Sequence, residues 1–211
     1  QAYEEQLKHF EQVLCLTISN TLSGTFNSAT LGKTISENEN VYVIDSETTI
    51  SGGMYLVEQM IAYFEQGHTI EQGLNHLEEL KSKGSLIFTV DNLQTLVQNG
   101  RLGRVQALIG NILKVKPILR FRRGVLELEH KVRSFNNVLR YLVSEVEKLI
   151  AIGKVCILID YVDQNEKAKE LQHEIFQLSE KVKVRISGVI SPVISAHVGL
   201  GGLGIYLTNE N

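Results

Sequence analysis

Tryptophan is absent, and proline and cysteine occur only twice each in the 211 residues. The two cysteines, Cys15 and Cys156, stand far apart within apolar runs, VLCLTI and KVCILI. That placement excludes a disulfide scaffold and predicts two buried thiols in a reducing compartment, hence a cytoplasmic protein. No apolar run reaches the roughly 18 residues that a transmembrane helix needs. The opening QAYEEQLKHFEQ is polar and acidic where a signal peptide is basic and then apolar, so neither secretion nor a transmembrane segment is expected.

The signatures of several chemistries are missing as well. His9, His68, His76, His130, His173 and His197 are scattered, with no HExxH, no cysteine pair at ligand spacing and no Asp-rich loop, so no metal site is expected. There is no GxSxG, neither cysteine has the surroundings of a catalytic thiol, and GxxxxGK[ST] is absent. The paired carboxylates Glu78 and Glu79, and Glu145 and Glu147, fall on predicted helices and read as solvated faces.

Charge is nearly balanced overall, at -3. That balance does not indicate a polyanion-binding protein. Its distribution is uneven: most of the excess acid lies in residues 1–83 and most of the base in residues 84–211, which marks a compositional boundary near Lys83 and Gly84.

What is present is a soluble-type core, with 43% hydrophobic and 21% charged residues. Leu7, Phe10 and Leu14 predict the end of an amphipathic helix running into a buried strand, VLCLTI at 13–18. SNTLSGTFNSA follows, with Ser23 and Thr25 as helix caps, and then a second apolar strand, VYVID at 41–45. Helices are expected over 52–66 and 69–83, the second opening on the capping box Thr69 to Gln72. Continuous apolar strands of this kind belong to parallel sheets covered on both faces.

Beyond the strand SLIFTV at 85–90 lies a helix-rich stretch carrying Gly100, Gly103 and Gly110. ILRF, the turn signal Arg123 and Gly124, and the alternating run VLELEHKVR then predict a hairpin. A helix at 134–151, the strand KVCILIDYV, a helix at 164–179, and strands near 182–190 and 203–207 complete the pattern. One wet face on the hairpin implies a mixed or antiparallel sheet with helices on one side.

Three segments are candidates for function. GLGGLG at 199–204 matches GxGxxG, but no helix follows it and no acidic residue stands about 20 positions on, so it fails as a dinucleotide fingerprint. Two readings then fit it equally: a turn bringing in the last strand, or backbone donors for an anion beside His197. SNTLSGTFNSA places Ser19, Thr21, Ser23 and Thr25 with Gly24 between a strand end and a helix start, where anions bind in α/β sheets; ordinary N-capping is the commoner explanation. The basic run Lys114, Lys116, Arg120, Arg122, Arg123, Lys131 and Arg133 has only Phe121 as an aromatic platform, so nucleic acid is the weakest reading and a solvated hairpin fits at least as well.

Together these segments resemble the DegV family of bacterial fatty-acid-binding proteins, which includes the lipid-carrying subunit of fatty acid kinase. The matching motifs run in order: LSGTFNSA at 22–29, VIDSETTISGG at 43–53, LVQNGRLGR at 96–104, IGNILKVKPIL at 109–119, KVRS at 131–134 and PVISAHVGLGGLGI at 192–205. Family members begin with a strand and a hydroxyl-bearing loop ahead of the first residue here, so the first domain is expected to be incomplete.

The resemblance implies an α/β protein of two domains. Residues 1–83 would be the remainder of a parallel α/β/α domain, and residues 84–211 an α+β domain with a mixed or antiparallel sheet. It also implies one long-chain fatty acid in a tunnel, its carboxylate bound by Ser23, Gly24, Thr25 and His197 and by backbone donors of the Gly199 to Gly201 turn. Arg133 would lie near the head group or serve kinase docking. No cofactor is implied; the partner would be an ATP-dependent kinase that makes the acyl phosphate, while this chain carries the substrate without catalysis. The alternative is an acyl- or phosphoryl-transfer enzyme using Ser23 and His197 as nucleophile and base.

Overall fold

The structure is a computed structural model that describes residues 1–101 and 115–210. Gly103, Gly110 and Lys114, with most of the IGNILKVKPIL motif, lie outside those residues. The chain is mixed α/β. Its first part comprises α1 (Ala2–Gln6), β1 (Val13–Thr17), α2 (Thr25–Ser36), β2 (Val41–Asp45), α3 (Ser51–Glu65) and α4 (Ile70–Lys83). β1 and β2 form a two-stranded parallel sheet, with Val13 opposite Val41 and Thr17 opposite Asp45.

Several local expectations hold for stated reasons. α4 opens on a reciprocal box in which the Gln72 N–H donates to Thr69 Oγ1 at 3.3 Å and the Thr69 N–H to Gln72 Oε1 at 2.9 Å. Others need correction. The first helix stops at Gln6 and leaves Phe10 exposed, so Leu7 and Phe10 do not belong to one helical face running to Leu14. The two apolar strands are only half-buried, because within the described residues each pairs with the other alone. Cys15 and Cys156 are free and half-buried, not fully enclosed as their apolar neighbours predict.

From Ser85 the chain builds a six-stranded mixed sheet. Its elements are β3 (Ser85–Thr89), α5 (Gln94–Gln98), β4 (Lys116–Arg122), β5 (Val125–Val132), α6 (Phe135–Ile150), β6 (Val155–Tyr161), α7 (Asn165–Phe176), β7 (Val182–Val189), α8 (Pro192–Val198) and β8 (Leu203–Asn209). The spatial order is β5-β4-β3-β8-β6-β7, antiparallel except for the β6–β7 pair. Arg123 and Gly124 both take positive φ, 52° and 72°, as the tight turn of the β4–β5 hairpin requires.

Strand alternation sends side chains to two cores. Ile87, Ile157, Ile159 and Ile205 meet Leu139, Leu142 and Leu171 of α6 and α7 on one face. Leu86, Leu158 and Tyr206 meet Leu56, Met60, Leu77 and Leu80 of α3 and α4 on the other. Helices therefore cover both faces of this sheet, the second layer being supplied by the first part of the chain. A third cluster, with Leu93 and Leu96 near α5, Leu119 of β4 and Val198 of α8, closes one end.

Candidate functional site

Between the α3-facing side of the large sheet and the loops of the first part lies a cavity of about 220 Å³. Its floor is apolar: Leu86, Phe88, Phe121, Leu126 and Leu203 come from the sheet. Leu22 and Ile50 enter from the loops after β1 and β2, and Ile190, Ile194 and Val198 from α8 and the residues before it. The β4–β5 turn is tied to the first part around this space. The Gly124 N–H donates to the Glu47 carbonyl at 2.9 Å, and Thr21 Oγ1 to the Gly124 carbonyl at 2.8 Å. Lys81, its side chain only 4% exposed, bridges Glu47 and Glu78, and Arg123 reaches both carboxylates from the turn.

Polar groups enter the cavity from few places. Ser23 and Thr25 flank the start of α2, their hydroxyl oxygens 2.8 Å apart, and the Thr25 N–H donates to Ser23 Oγ at 3.3 Å. The N-cap position is Gly24, and no side chain caps the helix there, which corrects the expectation that Ser23 or Thr25 would. His197 enters from α8, and its buried Nδ1 has no hydrogen-bond partner among the described residues; Thr49 Oγ1 is in the same condition. Buried polar atoms are seldom left unpaired, which makes these two candidates for meeting a ligand's polar group; Thr48 Oγ1 is also unpaired among the described residues but does not line the cavity. Arg101 lines the cavity too, its guanidinium donating to the carbonyls of Leu22 at 3.3 Å and Asn99 at 2.6 Å.

The structure thus brings Ser23, Thr25 and His197 to one cavity from positions more than 170 residues apart in the chain. Gly24 sits exposed between the two hydroxyl residues. The glycine turn does not offer the donors expected of it. The Gly199 N–H is spent on the Ser195 carbonyl and the Gly201 N–H on Asp163 Oδ1, both at 2.8 Å. Their positive φ values, 77° and 74°, fit the other reading, a turn that delivers β8. Arg133 is exposed just before α6 and does not line the cavity.

The basic run is no continuous face. Arg120 is held by Glu129 and Glu145, Lys116 by Asp91, and Arg123 by Glu47 and Glu78. Chemistry by thiolate finds no support at Cys156, whose thiol burial pushes up to about 11. Nothing described orients His197 through Nδ1 as the third member of a catalytic triad would.

Among the polar lining residues, sequence reasoning missed Thr49, Thr89, Arg101 and Asp160. Thr49 and Arg101 fall within matched motifs, in TTIS and NGR, but neither stands out by residue type. Asp160 ends the apolar run VCILID, and a lone acid there was the available signal. It is 3% exposed, and burial raises its carboxyl above the ordinary aspartate value, offset only in part by hydrogen bonds from Ser187 and Ser51.

A family model described as an uncharacterised protein of the DegV family matches residues 1–210. A DegV domain-containing protein of Staphylococcus aureus is 31% identical over 216 residues, covering 99% of this chain and 75% of the relative. Among solved structures, a fatty-acid-binding DegV family protein from Thermus thermophilus superposes with a TM-score of 0.90 at 27% identity, covering 99% of this chain and 74% of that one. DegV, a fatty acid binding protein from Bacillus subtilis, gives a TM-score of 0.84 at 29% identity, with coverages of 99% and 74%.

Proposed function

The chain belongs to the DegV family, and from that premise we propose that it holds one long-chain fatty acid in the cavity and presents the carboxylate to an ATP-dependent kinase. The observation that carries this reading is the cavity's division into an apolar floor and a cluster of polar groups that includes two buried atoms without partners among the described residues, Thr49 Oγ1 and His197 Nδ1.

The physics divides the labour. At about 0.8 kcal/mol per buried CH₂, a chain of roughly 15 methylenes gains on the order of 12 kcal/mol gross, so the tail supplies affinity. A carboxylate leaving water needs several hydrogen bonds, and the one proton left free by the Ser23–Thr25 hydroxyl pair, the Thr49 hydroxyl, the His197 imidazole and the Arg101 guanidinium are the donors at hand. The same donors suit an acyl phosphate. Arg133, exposed outside the cavity, belongs in this reading to the surface that meets the kinase. The carrier acts in the cytoplasm, without a cofactor of its own, its two domains dividing near residue 84.

Native mass spectrometry of the purified chain, followed by solvent extraction, tests the proposal. A stoichiometric fatty acid is expected, and addition of the kinase with ATP should convert it to the acyl phosphate. A chain that neither carries nor takes up a fatty acid would overturn the reading.

A further inference from the structure

We infer that Asp160 forms a second polar subsite in the acyl cavity, one that accepts a hydroxyl group on the acyl chain. This deepens the fatty-acid reading and rests on it. Leu158 of β6 faces α3 and Ile159 faces α6 and α7; alternation therefore turns Asp160 back toward the cavity. Across the ladder its partner on β8 is Gly204, which also lines the cavity.

The sheet is altered locally to hold this group. Ile159 opposes Ile186 but Asp160 opposes Gly188, so Ser187 is an extra residue in β7, and bulges of this kind re-aim side chains. The extra residue's hydroxyl is within hydrogen-bond reach of both Asp160 Oδ1 and the Ile159 carbonyl, the latter at 2.8 Å, while Ser51, the first residue of α3, donates to Oδ2. Ile50, one residue earlier, holds φ at 52°, an unusual conformation for a β-branched residue, and lines the same cavity. A buried carboxylate is costly, and among the described residues no cation pairs with Asp160. A bulge, a strained residue and two hydroxyls are spent on placing it.

The chemistry of the cluster selects its ligand. Ser51 directs its proton at the carboxylate and Ser187 shares its single proton between Asp160 Oδ1 and the Ile159 carbonyl, so the lone pairs these groups leave free are acceptors. That repels the fatty acid's own carboxylate, consistent with a head group at Ser23 and His197. It suits a hydroxyl, which donates to an ionised carboxylate and accepts from a protonated one. Room exists beside it: a second cavity of about 200 Å³ shares Ile50, Asp160, Ile190 and Ile194 with the first and carries the Ser187 and Ser191 hydroxyls.

Competition binding by native mass spectrometry tests this on the full chain, using stearate against 2-, 10- and 12-hydroxystearate. The expected result is a preference of about tenfold for one of the mid-chain isomers over stearate, the scale of one hydrogen bond to a charged group. In Asp160→Leu that preference should vanish. Equal or weaker binding of every hydroxylated isomer by the unaltered chain overturns the subsite while stearate binding leaves the carrier reading standing, and this comparison needs no variant to fold. Absence of stearate and hydroxystearate alike would overturn both.

Discussion

Ser23 Oγ and Thr25 Oγ1 lie 2.8 Å apart at the start of α2, so one hydroxyl donates to the other and a single proton remains to be offered outward. A carboxylate arriving at this pair would receive that proton. Ser23→Ala is therefore expected to lower fatty-acid affinity about tenfold by removing a charge-assisted hydrogen bond, with Ser23→Thr retaining most of it. Isothermal titration of palmitate into each variant checks this; equal affinities for wild type and Ser23→Ala would remove Ser23 from the site.

Affinity should depend more steeply on the apolar floor. Leu126 of β5 is half-buried and projects into the cavity beside Phe88 and Phe121. Replacing it with Trp fills space without burying a new charge, so folding should survive while long chains lose their place. The expected outcome is weaker binding of palmitate than of shorter acids, read by displacement of a fluorescent fatty acid. Unaltered chain-length preference would show that the tail does not pass Leu126.

Arg120 of β4 ties Glu129 of β5 to Glu145 of α6. Its side chain, 13% exposed, contacts Glu129, Glu145 and the Ser85 hydroxyl. Burial alone would raise the Glu145 carboxyl, but hydrogen bonds from Lys148 and Arg120 outweigh it and hold the group below the ordinary range. Arg120→Leu should cost about 2 kcal/mol at neutral pH, because it takes a charged hydrogen-bond partner from Glu145, which is left with Lys148, and from the more exposed Glu129. A depressed carboxyl contributes stability above its unfolded value and loses it as pH falls through the native value, so the penalty should shrink below roughly pH 4. Urea unfolding across that range checks the sign; a penalty independent of pH would place the effect in packing.

How far the sequence led differs between fold and site. The helices at Ser51–Glu65, Ile70–Lys83 and Phe135–Ile150 and the Arg123–Gly124 hairpin were legible because periodicity, capping and turn chemistry are local. Ser23 and His197 were legible through motifs. Asp160 was not, since its meaning comes from Ser51, 109 residues away, and from a bulge that no pattern of residue types announces. The glycine turn failed for a related reason: whether the Gly201 N–H is free depends on Asp163, which a reading of GLGGLG alone does not include.

Asp160 also makes a prediction about stability that is independent of any ligand. Burial raises its carboxyl, so the folded chain holds that proton more tightly than the unfolded chain does. Linkage then gives stability that is present below the unfolded aspartate value, near 3.9, and lost as pH rises through the raised native value. Asp160→Asn removes the charge, keeps an acceptor for one of Ser51 and Ser187, and turns its amide N–H toward the oxygen of the other. Relative to wild type it should gain stability across that window and keep a constant advantage above it. Paired urea melts at successive pH values isolate the effect, because contributions from Glu145 and the other carboxylates cancel in the difference. Parallel curves at every pH would mean that Asp160 is as well solvated in the fold as in the unfolded chain, and that the carboxylate costs the protein nothing to bury.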